Sequence, residues 1–254
     1  MKLEGNTILI TGGGSGIGRS LAEALHERGN TVIIAGRRKE LLKQVAARNP
    51  GMRWVELNVE DPESIRTVSA RLIAEHPKLN VLFNNAGIMQ VDDVSTEVDE
   101  RLLESTIATN VLGPIRLTGA LIEHLKKQER PVVINNSSIL AFVPLALAAV
   151  YSATKAAIHS YTLSLRYKLK NTPVRVLEVA PPWVQTDLLG SNDEPRAMPL
   201  QEFVDETMRV LATDADEILV QRAVPLRNNV GPHEGAFVNQ FNDVMTLPGA
   251  APAH

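Results

Sequence analysis

Short runs of β-branched and aliphatic residues alternate with longer stretches of helical pattern along most of this chain. The first two runs, residues 7–10 and 31–35, flank a glycine-rich turn and a predicted helix over residues 17–28. Such alternation is typical of βαβ units, in which crossover helices join parallel strands. The runs are apolar throughout, as expected for strands that helices cover on both faces of a sheet.

The same pattern continues through the rest of the chain and sets the predicted architecture. Further strands are predicted at residues 54–57, 81–83, 132–135, 174–179 and 218–220, and further helices at 39–47, 63–75, 101–127 and 151–169. Pro114 lies inside the helix predicted at 101–127 and predicts a kink or break there. The predicted fold class is α/β: a single-domain Rossmann fold, with a doubly wound parallel sheet of about seven strands and helices on both faces.

No internal repeat or linker divides the sequence, so residues 1–254 are predicted to form one domain. Residues 190–199 and the pair Pro181-Pro182 have the composition of loops. Residues 231–254 are predicted to form a C-terminal tail, and its last residues, 247–254, are expected to fray.

The composition excludes several classes of function. A net charge of −3 provides no basic field for nucleic acid. The absence of cysteine excludes disulfides and thiolate chemistry, and the six histidines are too scattered to predict a metal site. The first residues lack the layout of a signal peptide, and no apolar run approaches the ~20 residues of a membrane span. We therefore expect a cytoplasmic protein without nucleic-acid or membrane partners.

The turn after the first run is rich in glycine and precedes a helix. Glycines let the backbone approach a diphosphate closely, and the helix N-terminus offers free N–H groups to the anion. A glycine-rich turn by itself is also compatible with a purely structural loop, but its place in the first strand–turn–helix unit favours dinucleotide binding. The predicted contacts are Gly12, Gly14, Ser15, Gly16, Ile17 and Gly18.

The end of the second run indicates which dinucleotide is preferred. An acid there would bind the 2′-hydroxyl of the adenosine ribose and repel a 2′-phosphate. This chain instead has Arg37, Arg38 and Lys39, and guanidinium groups make paired, charge-assisted bonds to phosphate. We predict NADP(H) over NAD(H), with Arg37 and Arg38 near the phosphate. A solvated helix start is the competing interpretation.

Tyr151 and Lys155 stand four residues apart on a predicted helix, and Ser138 precedes the tyrosine by thirteen residues. Residues four apart share a helix face, so the lysine charge would favour the phenolate and allow proton exchange near neutral pH. A serine from another segment would hold a carbonyl oxygen beside the phenol. On its own, Tyr-x-x-x-Lys is more often a solvated pair, so its interpretation depends on the other motifs.

Four motifs occur together in the order and spacing of a known family. They are Thr11-Gly-x-x-x-Gly-Ile-Gly18, Asn84-Asn85-Ala86-Gly87, Ser138 and Tyr151-x-x-x-Lys155. With them the chain resembles the classical short-chain dehydrogenases/reductases over about residues 5–190. The segment Ala-Pro-Pro-Trp-Val-Gln-Thr-Asp at 180–187 further resembles a bacterial subgroup, which is often likened to an oxidoreductase encoded near D-alanyl-lipoteichoic acid genes.

The resemblance implies a role for each matching residue. Tyr151 would act as general acid in reduction and as base in oxidation, and Lys155 would lower its pKa and bind the nicotinamide ribose. Ser138 would polarise the substrate oxygen, and Asn110 would hold a water in a proton relay to the lysine. The further cofactor contacts that it implies are Asn85, Ala86, Gly87, Pro181, Val184 and Thr186.

Three departures from the family pattern bear on these roles. Asn58-Val59 stands where the family usually has an aspartate before valine, so Asn58 and Val59 are expected to contact adenine through an altered hydrogen bond. Pro181-Pro182 replaces the usual Pro-Gly and stiffens the turn beside the nicotinamide. The usual C-terminal strand with its Asp-Gly-Gly ending is missing, which favours a homodimer, with a tetramer as the alternative.

Uncharged residues fill the segment between Ser138 and Tyr151, where substrate sites of this family often lie. An apolar wall favours an aromatic or aliphatic ketone over a sugar or a charged metabolite. The competing interpretation is that some of these residues belong to the core or to a subunit interface. Predicted substrate contacts are Met89, Leu140, Trp183 and Leu188, and residues 188–202 are a candidate closing loop.

We therefore predict an NADP(H)-dependent carbonyl reductase or alcohol dehydrogenase that transfers hydride between nicotinamide and a small-molecule ketone or secondary alcohol. The alternatives are a dinucleotide-binding regulatory protein without catalysis, an NAD-preferring dehydrogenase, and an isomerase or dehydratase on the same fold. All four residues of the catalytic pattern are present, which favours chemistry over regulation. Isomerases and dehydratases of this type tend to be longer chains with a separate substrate domain.

Overall fold

Strands and helices alternate through the whole of the computed structural model, which describes residues 1–229 and 231–245. The strands are β1 (Thr7–Thr11), β2 (Thr31–Gly36), β3 (Arg53–Glu56), β4 (Leu79–Asn84), β5 (Val132–Asn136), β6 (Arg175–Val179) and β7 (Glu217–Ile218). The α-helices are α1 (Gly16–Glu27), α2 (Lys39–Arg48), α3 (Pro62–Glu75), α4 (Glu100–Ile107), α5 (Gly113–Leu125), α6 (Ala149–Leu169), α7 (Leu200–Leu211), α8 (Val224–Arg227) and α9 (Glu234–Met245). Within the described residues, none of these helices combines the length and apolar character that crossing a bilayer requires.

All seven strands belong to one parallel sheet with the order β3-β2-β1-β4-β5-β6-β7. The chain first winds outward from β1 to β3 and then returns to β4 on the other side of β1. This is the Rossmann arrangement, and it confirms the predicted α/β fold. Ligands of such sheets bind in the crevice at the carboxyl ends of the strands, where the winding direction reverses. Here that crevice lies between β1 and β4.

The core divides into two apolar layers, one on each face of the sheet. Ile8 and Ile10 of β1 pack in one layer with residues of α1, α2 and α7, whereas Leu9 packs in the other with residues of α3 and α5. These three strand residues are fully buried, and each such side chain contributes about 1.5–3 kcal/mol to folding. Continuous apolar strands are therefore required, because successive side chains point into opposite layers.

The helix predicted at 101–127 is interrupted, and the break lies earlier than Pro114. Ala108–Leu112 form a π-helical turn between α4 and α5, and Pro114 occupies the first turn of α5. A proline is tolerated there because the first helical N–H groups need no partner within the helix. Gly113 explains the close packing at the junction, since a Cβ on it would lie 2.9 Å from the Val59 carbonyl oxygen.

The C-terminal part of the chain is more ordered than the sequence predicted. β7 has only two residues, 217 and 218, which pair with β6, whereas the sequence predicted a strand at 218–220. The predicted loop at 190–199 begins with a 3₁₀ turn at Leu188–Asp193, and the predicted tail contains α9. Amphipathic spacing within 234–245 was the signal for this helix. The fraying expected at 247–254 lies outside the described residues.

Candidate active site

One large cleft of about 1310 Å³ runs along the carboxyl ends of the strands. It begins at the glycine-rich turn after β1, passes over Ser138, Tyr151 and Lys155, and ends beneath α9. A cleft of this volume is large enough for a dinucleotide at one end and a small molecule at the other. The cleft therefore lies at the switch point of the sheet, where the fold predicts a ligand.

The glycine-rich turn needs its glycines for conformation and for space. Gly12 and Gly16 have φ values of +69° and +51°, which strain any residue with a side chain. A Cβ on Gly18 would lie 2.3 Å from Asn85 Nδ2, the amide that donates to the Thr11 carbonyl at 2.9 Å. Gly14, Ser15 and Ile17 line the cleft as predicted. The turn thus places β1, β4 and the N-terminus of α1 around one anion-sized opening.

Gly13 was missed by the sequence interpretation, and it has a packing role. A Cβ at this position would lie 2.6 Å from the Cβ of Ile34 in β2. Its backbone N–H donates to the Ala35 carbonyl at 3.3 Å, next to the 2.8 Å bond from Gly12. The three consecutive glycines therefore serve two roles, lining the cleft and packing against the core. The spacing of glycines in the sequence does not distinguish these roles.

The two arginines after β2 have different partners. Arg38 donates to the hydroxyl of Ser15 at 2.6 Å, across the opening of the glycine-rich turn. Arg37 is paired with Glu60 at 2.5 Å, and Thr109 donates to the same carboxylate oxygen at 2.8 Å. All three charged residues line the cleft. Glu60 was not predicted from the sequence, because only the parallel pairing of β2 with β3 brings it beside Arg37.

Of the two residues predicted on the adenine side, Val59 lines the cleft and Asn58 does not. Val59 lines the cleft, flanked there by Leu57 and Glu60. The amide oxygen of Asn58 accepts from the backbone N–H of Glu60 at 3.2 Å, and its own N–H donates to Ser64 at 3.1 Å. Asn58 therefore shapes the turn after β3 beside the cleft, and its side-chain oxygen is already engaged within that turn.

Ser138, Tyr151 and Lys155 meet at the centre of the cleft. Ser138 follows β5, whereas Tyr151 and Lys155 project from successive turns at the start of α6. The Lys155 ammonium lies 5.3 Å from the centre of the Tyr151 ring and donates to the Asn136 carbonyl at 2.8 Å. All three side chains are buried. The structure thus brings together the three residues that the sequence singled out.

Burial dominates the acidity of the tyrosine. Desolvation raises the pKa of the Tyr151 phenol above its ordinary value, and a hydrogen bond with Ser138 opposes this only in part. The sequence predicted a lowered pKa because of the adjacent lysine, and that direction is wrong because burial dominates the shift. Since the neutral phenol is the favoured form, Tyr151 is poised as a proton donor.

The lysine shows the opposite response to burial. Desolvation lowers the pKa of Lys155 to about 8, and the negative charge of Glu178 acts in the raising direction. Near pH 7 Lys155 is therefore still mainly in its ammonium form, but a small rise in pH is enough to deprotonate it. Glu178 lies in β6 and was not singled out from the sequence.

Asn110 lies in the π-helical turn, and both the oxygen and the nitrogen of its side-chain amide form hydrogen bonds. Its amide oxygen accepts from the Ile88 N–H at 2.9 Å, and its amide nitrogen donates to the Ile88 carbonyl and to Thr154. A Cβ on Gly87 would lie 3.4 Å from this amide oxygen and 3.6 Å from Lys155 Nζ. Asn110 therefore ties the segment after β4 to α6, directly beside the lysine.

The segment after β6 is braced against the loop that follows it. Val184 forms a parallel bridge with Met198, and the Trp183 indole donates to Ser191 at 2.8 Å. Thr186 is buried, and a Cβ on Gly16 would lie 3.6 Å from its side chain. Pro181, Val184 and Thr186 all line the cleft. They face the glycine-rich turn from the opposite wall.

The predicted substrate residues line the far end of the cleft, together with a helix that the sequence did not predict. Met89, Leu140, Trp183 and Leu188 are all part of this wall. Residues 241, 244 and 245 of α9 add three further apolar side chains: Phe241, Val244 and Met245. Asn242 anchors the helix by donating to the Pro144 carbonyl at 3.0 Å and accepting from the Ala146 N–H at 2.6 Å.

Asp92 caps the helix that carries Tyr151 and Lys155. Its carboxylate accepts from the N–H groups of Ala149 and Val150 at 3.0 and 2.9 Å. These are among the first N–H groups of α6, which lack partners within the helix. Asp92 lies 57 residues before Ala149 in the chain, so no local capping motif in the sequence predicted this contact.

Comparisons with known proteins agree with this geometry. The sequence profile of the short chain dehydrogenase family matches residues 6–197. An oxidoreductase of Bacillus subtilis (strain 168), DltE, is 38% identical over 248 residues, which are 95% of this chain and 98% of that protein.

Two solved structures are also similar over nearly the whole chain. A short chain dehydrogenase from Burkholderia cenocepacia J2315 in complex with NADP superposes with a TM-score of 0.83 at 29% identity, covering 94% of this chain and 98% of the other. A short-chain dehydrogenase from Streptomyces avermitilis has a TM-score of 0.82 at 28% identity, covering 96% and 98%.

Proposed function

The chain belongs to the short-chain dehydrogenase family, and on that basis we propose that it is an NADP(H)-dependent oxidoreductase that interconverts a ketone and a secondary alcohol. The observation that carries the proposal is the meeting of Ser138, Tyr151 and Lys155 in a buried position at the centre of the cleft. A regulatory protein that only binds a dinucleotide has no need to bury a lysine ammonium beside a phenol. Burial of such groups is costly and typical of sites that move protons.

The roles of these residues follow from their chemistry. The cofactor supplies or accepts the hydride at the carbon of the substrate. In the reducing direction, the Ser138 hydroxyl donates a hydrogen bond to the carbonyl oxygen, and Tyr151 transfers its proton to that oxygen as negative charge develops. Lys155, held by the Asn136 carbonyl, stabilises the phenolate that remains. In the oxidising direction each proton movement is reversed.

Proton return to Tyr151 requires a path from the solvent, and we assign Asn110 a supporting role in it. Because its side chain is engaged by Ile88 and Thr154, we assign the water-holding role to the backbone around the π-helical turn. A π-helical turn changes the backbone hydrogen-bond register, and such turns are frequent at functional sites. Asn110 then acts by fixing this turn against α6, where Lys155 lies.

The cleft residues support NADP(H) as the cofactor. The left-handed glycines and the N-terminus of α1 suit a diphosphate, and Arg38 beside Ser15 is a cation at the expected place of a 2′-phosphate. The Burkholderia cenocepacia relative was solved in complex with NADP. One observation favours the second candidate, an NAD-preferring dehydrogenase: Glu60 lies at the same place and neutralises Arg37. Dissociation constants for both cofactors decide between them.

The substrate end of the cleft supports an apolar or aromatic ketone. Side chains of Met89, Leu140 and Trp183, with those of α9, form an apolar part of the wall around the centre of the cleft, and Arg196 lies over the Trp183 ring at 5.0 Å. A sugar would leave many hydroxyl groups unpaired against such a wall. We expect aromatic and medium-chain aliphatic ketones to be reduced with higher kcat/KM than keto sugars.

Turnover of the purified protein with NADPH and a ketone panel tests the proposal, by the loss of nicotinamide absorbance. We expect Tyr151→Phe to lower kcat by about 10²-fold or more, the usual effect of removing one acid–base group. Tyr167→Phe is the matched control, because Tyr167 is 66% exposed and lies on the same helix. Binding of NADPH without turnover of any ketone would favour the regulatory alternative, and near-normal turnover by Tyr151→Phe would remove Tyr151 from the mechanism.

A cytoplasmic homodimer is the assembly that we propose. Exposed apolar side chains occur on two neighbouring segments: Ile107 at the end of α4 and Leu112 at the end of the π-helical turn, and Leu163 and Tyr167 on α6. We define these four residues as the α4–α6 patch. Burying such a patch against its copy in a second molecule removes apolar surface from water on both sides.

A further inference from the structure

We propose that Glu178 is a positioning residue, which supplies the buried negative charge that holds Lys155 as an ammonium and fixes the strand end that carries Ser138. This inference rests on the proposed oxidoreductase function and adds to it a determinant of the upper pH limit of the reaction. Glu178 touches neither the expected substrate nor the cofactor. It acts through Ser137 and Lys155.

Glu178 lies directly behind the catalytic residues. It is 1% exposed, and in β6 it pairs in register with Asn135 of β5. The hydroxyl of Ser137 donates to its carboxylate at 2.5 Å, and the Ser137 N–H donates to the Val179 carbonyl at 2.9 Å. Two hydrogen bonds thus fix the residue immediately before Ser138. A neutral hydrophobic residue at 178 would leave the Ser137 hydroxyl without this acceptor.

His159 continues the line of functional side chains on α6. Tyr151, Lys155 and His159 are spaced by four residues each, so all three project from neighbouring positions on one helix face. His159 Nδ1 lies 2.9 and 3.1 Å from the two oxygens of Glu178, and its ring packs edge-on against Phe142 at 4.8 Å. The carboxylate is therefore held from both sides, by β5 and by α6.

The other charged groups around Glu178 have bonded partners of their own. Glu217 of β7 accepts two hydrogen bonds of 3.0 Å from Arg227 of α8. Arg166 of α6 donates to the Val176 carbonyl and lies near Asp216. Arg227 binds Glu217, and Glu178 is the acid whose negative charge acts on Lys155.

The same cluster has the composition of a divalent-cation site. Ligand atoms of His159, Glu178 and Glu217 all lie within 4.8 Å of one another. However, Arg227 occupies both oxygens of Glu217, and Ser137 and His159 occupy Glu178. An ion would have to displace an arginine from a bidentate pair. We therefore assign the cluster to charge balance behind the active site.

The consequence for the reaction follows from the sign of each effect. Burial favours the neutral amine, and the negative charge of Glu178 favours the ammonium, leaving Lys155 with a pKa of about 8. The ammonium is the form that stabilises the Tyr151 phenolate, and it is present below this pKa. Removing the negative charge lowers the pKa of Lys155 further, so the active form is lost at a lower pH.

The pH profile of kcat/KM for ketone reduction tests this inference. We expect the rate of the wild-type protein to decline as pH rises through about 8, and the decline in Glu178→Gln to begin about one pH unit lower. Glu217→Gln is the matched control, since it removes a neighbouring acid that is paired with Arg227, and its profile should follow the wild type. Glu178→Asp keeps the charge at a greater distance and should fall between wild type and Glu178→Gln, which also covers the case in which the glutamine variant does not fold.

A direct titration of Lys155 separates this inference from the proposed function. The protein is labelled with ¹³C-lysine and kept free of cofactor, and its lysine Cε resonances are followed by NMR. The resonance that disappears in Lys155→Met belongs to Lys155, and its chemical shift reports the protonation of that side chain. We expect its midpoint near 8 in the wild type and lower in Glu178→Gln or Glu178→Asp, whether or not a ketone is turned over. Equal midpoints in wild type and variants, or equal shifts in Glu178→Gln and Glu217→Gln, would overturn the role of Glu178. Inactivity of the wild type with shifted midpoints would overturn only the oxidoreductase proposal.

Discussion

The choice of cofactor in this protein depends on a competition between neighbouring charged side chains. Arg38 has a neutral partner in Ser15, whereas Arg37 is neutralised by Glu60. A 2′-phosphate could therefore bind the Arg38 guanidinium directly, whereas the Arg37 guanidinium would first have to break its ion pair with Glu60. The same carboxylate would be repelled by the phosphate.

We expect two substitutions at this place to have opposite effects on NADPH binding. Arg38→Ala should weaken binding about tenfold or more, because a charge-assisted hydrogen bond contributes about 1.5–3 kcal/mol. Glu60→Gln should tighten it several-fold, because Arg37 is released and a repulsive charge is removed. Fluorescence titration with NADPH and NADH measures both effects.

Affinity for NADH provides the internal control, since it should change little in Arg38→Ala. Arg66→Ala removes an exposed arginine of α3 that is paired with Glu63 and should leave both affinities unchanged. Equal losses of NADPH and NADH affinity in Arg38→Ala would mean that Arg38 supports the fold of the turn and does not select the phosphate.

The orientation of α6 determines where Tyr151 and Lys155 point, and a distant acid holds its first turn. Asp92 accepts from two N–H groups of this turn and its own N–H donates to the Leu147 carbonyl at 3.0 Å. The favourable interaction of a carboxylate with a helix N-terminus adds to these bonds. The catalytic helix is therefore tied to the segment between β4 and α4.

We expect Asp92→Ala to destabilise the protein by about 1–2 kcal/mol, the usual effect of removing a helix cap, and to lower kcat more than it raises KM for the cofactor. The physical reason is that Tyr151 lies in the first turn, which loses two hydrogen bonds, while the glycine-rich turn is untouched. Thermal unfolding and steady-state kinetics provide the measurements.

Asp93→Ala serves as the comparison for this substitution. Asp93 is exposed, and its carboxylate accepts hydrogen bonds from the backbone N–H and the hydroxyl of the nearby Ser95. A change of similar size in both variants would indicate general loosening of the loop, and the capping role of Asp92 would then be rejected.

The arrangement of the chain around the sheet leaves an apolar surface exposed to solvent among the described residues. The α4–α6 patch lies on helices of one face, and its members Leu163 and Tyr167 are 44% and 66% exposed. Lys170 lies over the ring of Tyr167 at 3.9 Å, which places a charge at the rim of the patch, as in many protein interfaces.

We expect the wild-type protein to be a homodimer in solution and Leu163→Glu to shift it towards monomer. A charge in the centre of an apolar interface loses its hydration without gaining a partner. Light scattering after size-exclusion chromatography measures the mass. Val94→Glu is the control, because Val94 is 53% exposed in the loop before α4, outside the patch. A wild-type monomer, or a dimer unaffected by Leu163→Glu, would contradict the assignment of this surface.

Local patterns were sufficient to predict most strands and the helices that follow them. The side chains of apolar runs such as residues 8–10 are all buried only when helices cover both faces of the sheet. The glycines of the turn were predictable because positive φ values at Gly12 and Gly16 and the close contact at Gly18 permit no side chain at these positions. The shared face of Tyr151 and Lys155 follows from the helical repeat alone.

The sequence by itself thus determined the fold class, the glycine-rich turn and the shared helix face of Tyr151 and Lys155, because each depends on neighbours within a few residues or on a repeated spacing. The place of Ser138 beside them was implied by the resemblance to a known family. Only the tertiary structure decided which charges face one another. Glu178 under Ser137, Glu60 on Arg37 and Asp92 at α6 are all contacts between segments far apart in the chain. The order of the strands and the burial of each side chain create these pairs, and neither is encoded in a local pattern.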